Sequence, residues 1–138
     1  MKRVDAALFI GALFGFVGVA AGAMGAHALK SRIDPTALDW WKTAAHYGQI
    51  HAVAIVAVAL CSTQPRARVL QVAWVAFALG IAVFSGTLGA MALGGPRWLG
   101  AITPLGGVCL MAGWLALAFA AWRARTRTPG ASDGPARP

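Results

Sequence analysis

The feature that most limits what this chain can fold into is a fourfold alternation. Four long apolar stretches, none with an acidic residue in its interior, are separated by short basic clusters. They run over about residues 4–28, 43–61, 69–93 and 99–122. Each approaches or exceeds the roughly 20 residues a helix needs to cross a hydrocarbon core about 30 Å thick. Lipid offers no hydrogen bonds to bare backbone, so all four are predicted to be helices.

Composition points the same way. The chain is 59% hydrophobic and 12% charged, whereas a soluble domain carries roughly 25% charged residues to cover its surface. Lipid or a partner must cover the apolar remainder. The net charge of +8 does not point to nucleic acid, because no basic helix face or folded basic domain is present. Basic clusters beside apolar stretches are ordinary flanks of membrane spans, held by anionic headgroups at about 1 kcal/mol per residue. The expected fold class is an all-α membrane protein, a bundle of four transmembrane helices with glycine-rich contacts over residues 1–128. A tail at 129–138, rich in Pro, Gly and Ser, is expected to be disordered.

Met1-Lys2-Arg3, the apolar run and Ala21-Gly22-Ala23 also resemble a secretory signal with a small-residue cleavage site. Asp5 interrupts the junction, and the run exceeds the roughly 7–15 residues of a signal core, so a retained span is expected. With four spans, one side collects Lys2, Arg3, Arg66, Arg68, Arg123, Arg125, Arg127 and Arg137. The other holds Lys30, Arg32, Lys42 and Arg97. Eight against four predicts that both termini are cytoplasmic. Trp40, Trp41, Trp98 and Trp122 fall at predicted span ends, where indole rings settle at headgroup level.

The first span carries Gly11, Gly15, Gly18, Gly22 and Gly25 at alternating spacings of four and three. That average of 3.5 puts all five on one stripe of the helix. Glycine costs about 1 kcal/mol of helix propensity relative to alanine, and its return in lipid is close backbone approach. The stripe predicts a helix lying along most of this one. An intramolecular contact is favoured, because Ala76, Gly80, Gly86, Gly89, Gly106, Gly107 and Gly113 supply small residues on the third and fourth spans.

Polar residues within the spans gather towards the predicted outer side: His27, His46, Gln49, His51, Ser85, Thr87 and Thr103. One reading is a shallow polar site for a small ligand, a metal or a proton, since ionisable groups in a membrane are functional candidates. The other is helix-to-helix ties worth about 0.6 kcal/mol each, and the sequence favours it. No metal or haem site is expected. His46 and His51 are five apart rather than three or four, and only His27 with His46 loosely suits paired haem ligation. The chain has no glutamate, and Asp5, Asp34, Asp39 and Asp133 lie outside the span interiors. Ser85 with His51 lacks a third member and an oxyanion hole, so no enzyme and no catalytic residue are expected. Cys61 and Cys109 lack metal or redox spacing. Pro104 is expected to start the fourth helix or to kink it. A start there would turn N-terminal amides towards the polar cluster.

The stretch Gly22-Ala-Met-Gly-Ala-His-Ala-Leu29 resembles the signature of the YgdD-like family of small bacterial membrane proteins (domain of unknown function 423). Tyr47 with His51, Phe84-Ser-Gly-Thr-Leu88, and Thr103-Pro-Leu-Gly-Gly107 followed by Gly113-Trp114 recur in order. The match covers roughly residues 4–122. Gly48 separates Tyr47 from Gln49, which the family pattern joins, and Gly89 stands where a tyrosine is common. The resemblance implies a bacterial plasma-membrane location and no activity. The expectation is a non-enzymatic binding, assembly or accessory protein without a cofactor. Its partners would be the lipid bilayer and a second copy or another membrane protein, not nucleic acid. The alternatives are a small transporter or permeation accessory using the polar cluster, and a haem- or quinone-binding redox module.

Overall fold

The computed structural model describes residues 3–61 and 67–125. Its elements are α1 (Arg3–Ala26), α2 (Pro35–Cys61), α3 (Ala67–Gly80), a π-helical turn (Ile81–Ser85), α4 (Gly86–Ala92) and α5 (Leu99–Arg125), with no strand among the described residues. The turn joins α3 and α4 into one rod. Four rods are therefore long and apolar enough to cross a membrane: Ala6–Ala26, Pro35–Cys61, Arg68–Ala92 and Leu99–Arg125. The expected disordered tail at 129–138 lies outside the described residues.

Capping, not hydropathy, sets where α2 begins. The Ala37 N–H donates to the Asp34 carboxylate at 3.0 Å, the Leu38 N–H donates to the Asp34 carbonyl at 2.9 Å, and Pro35 occupies the first helical position. The helix starts at Pro35 rather than near residue 43, where charged Asp39 and Lys42 end the apolar run. Gln49 and His51 consequently lie just past the middle of α2 and His46 just before it, rather than all three in its first half. At the far end of the third rod, Gly94 takes a left-handed φ of 91°. The Gly95 N–H then reaches the Ala90 carbonyl at 2.8 Å, a glycine-built stop that turns the chain towards α5. The last helix begins at Leu99 and continues through Pro104. The helix therefore does not start at Pro104, and the free amides such a start would bring are not formed there.

Two tightly packed pairs make up the bundle. α1 lies along α2, and α5 lies along α3 and the π turn, while α2 joins the pairs through α3, the turn and α4. α1 touches α3 only slightly. The glycine stripe of α1 thus meets α2, which has a single glycine, and not the glycine-bearing third and fourth spans. The complement is bulk into notch. A Cβ at Gly11 would stand 2.9 Å from Val56 Cγ2, one at Gly18 2.7 Å from Gln49 Cγ, and one at Gly25 2.8 Å from Trp41 Cδ1. Gly15 and Gly22 face Ala52 and Gln49 at wider spacing. Small residues also close the second pair, where a Cβ at Gly113 would meet the Phe77 ring and one at Gly106 the backbone of Phe84. The apolar core, with Ile55, Ala59, Ala73 and Phe77 fully buried, fills the half nearer the α2–α3 connection.

Candidate functional site

The polar candidates do not form one cluster. Four of them divide among three helix contacts, Ser85 lies unbonded on the π turn, and two stay at the surface.

In the α1–α2 contact, the Gln49 amide donates from Nε2 to the Gly18 carbonyl at 2.9 Å. The Trp41 indole N–H donates to the Ala21 carbonyl at 2.7 Å. Both reach the α1 backbone because the glycines leave it uncovered. Trp41 therefore ties two helices near the Pro35 end of α2. The reason is the early start of α2, which carries residue 41 nearly two turns into the helix. Trp98 and Trp122 remain well exposed, as belt residues must be.

In the contact of α4 with α5, the Thr87 and Thr103 hydroxyls lie 2.8 Å apart. Thr103 also reaches the Leu99 carbonyl at 3.1 Å, and Thr87 the Val83 carbonyl at 2.7 Å. The π turn explains the last bond. Its wider ladder pairs the Gly86 N–H with Ile81 and Val83 carbonyls, and the Thr87 hydroxyl supplements the disturbed carbonyls beside it. Two hydroxyl protons face four acceptors here, the Val83, Phe84 and Leu99 carbonyls and one of the two hydroxyls, which makes the pair a local tie. Ser85, on the same turn, has a buried Oγ with no hydrogen-bond partner and sits against Gly48. It makes no bond to His51 among the described residues, so the Ser85/His51 pairing does not form.

His51 occupies the third contact, between α2 and α5. It is only 5% exposed. Its Nδ1 lies 2.8 Å from the Tyr47 carbonyl, and its Nε2 accepts the Trp114 indole N–H at 3.1 Å. A carbonyl on one nitrogen and an N–H on the other select the neutral tautomer with the proton on Nδ1. Both ring nitrogens are committed, leaving no lone pair for a metal. Around it, Tyr47 stacks on His51 at 5.9 Å and tilts against Phe84 at 4.9 Å, while Phe77 and Trp114 meet edge to face at 5.2 Å. His46 is exposed and meets Tyr47 edge-on at 6.1 Å. His27 lies exposed on the turn after α1, away from every other candidate's hydrogen bonds.

Reading the residues for polar chemistry did not join Trp114 and Phe84 to this arrangement. One signal was present. Trp114 falls deep within a span, where an indole N–H has no water and requires a partner.

Two crevices flank the bundle. One, of about 260 Å³, opens between α1 and the π turn over small residues that include Gly18, Ala45, Gly48 and Gly86. The other, of about 480 Å³, opens between α2 and α5 beside Tyr47, His51, Phe84 and Trp114. No group of three potential metal ligands occurs among the described residues.

Comparison with known proteins supplies the family. The family described as "Protein of unknown function (DUF423)" matches residues 21–107. The chain is 36% identical over 116 residues to UPF0382 membrane protein SSP2132 of Staphylococcus saprophyticus, covering 84% of this chain and 96% of that one. It is 36% identical over 117 residues to a UPF0382 membrane protein of Haemophilus influenzae, covering 83% and 92%. It is 33% identical over 120 residues to UPF0382 inner membrane protein YgdD of Escherichia coli, covering 87% and 92%. No solved structure matches the chain. With four apolar membrane-length helices and relatives of this kind along most of its length, the chain belongs to the DUF423 family and is an integral membrane protein.

Proposed function

We propose that this protein is a non-enzymatic component of the bacterial plasma membrane that holds another component within the plane of the bilayer. The observation that carries this reading is the destination of the polar side chains. Gln49, His51, Thr87 and Thr103 all bond across helix contacts or to backbone. That arrangement supplies stability and, among the described residues, leaves no run of free polar groups through the spans along which a solute or proton would pass. Along the spans, what stays open are crevices on the flanks, lined mainly by apolar and aromatic residues. The excess of Lys and Arg beside the termini supports an orientation with both ends in the cytoplasm. The inner-membrane name of the Escherichia coli relative supports the location.

Native mass spectrometry of protein released gently from its own membrane tests the reading. The expected result is a lipid-soluble molecule or a second chain retained at defined stoichiometry. A bare monomer under conditions that preserve known membrane complexes overturns it. So does a saturable solute flux in proteoliposomes that His51→Ala abolishes without unfolding the protein. Cysteine labelling from the two sides of the membrane checks the orientation, and a cytoplasmic 27–34 loop would reverse it.

A further inference from the structure

The crevice between α2 and α5 differs chemically from every other part of the bundle. Four rings border it: Tyr47, His51, Phe84 and Trp114. Its volume of about 480 Å³ falls within the roughly 300–1,000 Å³ of small-molecule sites. No Asp, Lys or Arg lines it, so an occupant gains nothing from charge. Ile50, Leu110 and Met111 form its flanks. Ile50 and Met111 are 45% and 60% exposed, which opens the crevice sideways along the apolar bundle surface.

The hydrogen-bonding groups of this crevice fall into two sets. His51 is closed off, because Tyr47 and Trp114 hold both its nitrogens. Tyr47 and His46 also line the crevice, yet neither side chain makes a hydrogen bond among the described residues. A phenol O–H and an imidazole N–H can each donate, and a ligand with acceptor oxygens can meet both without carrying charge. Haem fits poorly. His46 alone would remain as an axial ligand, and no cationic residue lines the crevice to meet propionates.

We infer that the α2–α5 crevice binds a prenyl- or alkyl-substituted quinone, a flat uncharged ring with two carbonyl acceptors and an apolar tail. The ring lies among Tyr47, Phe84 and Trp114, where offset and edge contacts with a planar π system are favourable. Tyr47 and His46 donate to its carbonyls. The tail leaves past Ile50 and Met111 into lipid. This inference rests on the proposed function and names the component held. It concerns binding alone and assigns no electron transfer.

The test compares decyl-1,4-benzoquinone with decylbenzene, which keeps the ring and tail but lacks the oxygens. The full chain is placed in phosphatidylcholine nanodiscs, and empty nanodiscs measure partition into lipid. Expected is saturable binding of one quinone per chain, with decylbenzene at least tenfold weaker. Tyr47→Phe and His46→Ala should each weaken quinone binding about fivefold or more without moving the melting temperature of the unliganded protein. Equal binding of the two probes overturns the inference, as does quinone binding that neither variant changes. Should native mass spectrometry find a phospholipid or second chain where the quinone fails to bind, this ligand is wrong and the proposed function stands. A bare monomer removes the proposed function itself.

Discussion

The two faces of α2 handle polar groups in opposite ways. Towards α1, the glycine stripe brings the helices close, and the Gln49 and Trp41 side chains bond directly to bare carbonyls. Towards α5, bulky rings hold the helices apart. The tie there runs between side chains, from Trp114 to His51, with a crevice left beside it. Glycine density decides between a sealed seam and an open one. Where the backbone is exposed, a polar side chain finds a partner at once, and where rings intervene, space and unpaired donors remain.

The largest expected effect breaks the sealed side. Gly11→Leu places bulk where a Cβ already stands 3.1 Å from the Val56 backbone nitrogen, and overpacking of this kind costs about 1–3 kcal/mol or more. A steep fall in the unfolding midpoint in detergent is expected, against a change within about 0.5 kcal/mol for Gly86→Ala, where nothing lies within 4 Å of the new Cβ. Equal effects would mean that the stripe does not hold α1 in place.

The open side should respond next. His51→Leu strands the Trp114 N–H and should cost about 1–3 kcal/mol. Adding Trp114→Phe should then cost less than it does alone, with a coupling of about 0.5 kcal/mol or more in a double-mutant cycle. Strict additivity would show that the bond is idle. The smallest effect belongs to the threonine pair. Thr87→Val and Thr103→Val should each cost about 0.6 kcal/mol, and the double variant less than their sum. A melting temperature that falls by the full sum would mean that each hydroxyl serves only its own helix.

Much of the fold can be read directly from the residues. Apolar length marks the four rods, because a hydrocarbon core requires it, and the 3.5 spacing marks a close contact along α1. The candidate site is less legible. His51, Gln49, Thr87 and Thr103 stand out as polar atoms in apolar runs, yet their spacing does not say which helix each one meets. Trp41 reads as a span-end residue, and its tie to α1 appears only once the Asp34 cap sets the start of α2 at Pro35. Ser85 and His51 look like neighbours with shared chemistry, but the π turn and the Trp114 bond send them to different surroundings.

By itself, the sequence determines that the chain crosses a bilayer, that its first helix packs closely against another, and that the apolar runs carry no acidic residue in their interiors. Those properties follow from local composition and from the helix period. Tertiary structure alone decides that α2 is the partner of the glycine stripe and that His51 is closed on both nitrogens. It also decides that Tyr47 and His46 keep free donors beside an aromatic crevice. Each depends on which faces of separate helices meet, and in lipid that choice is made by shape and by paired hydrogen bonds rather than by hydrophobicity.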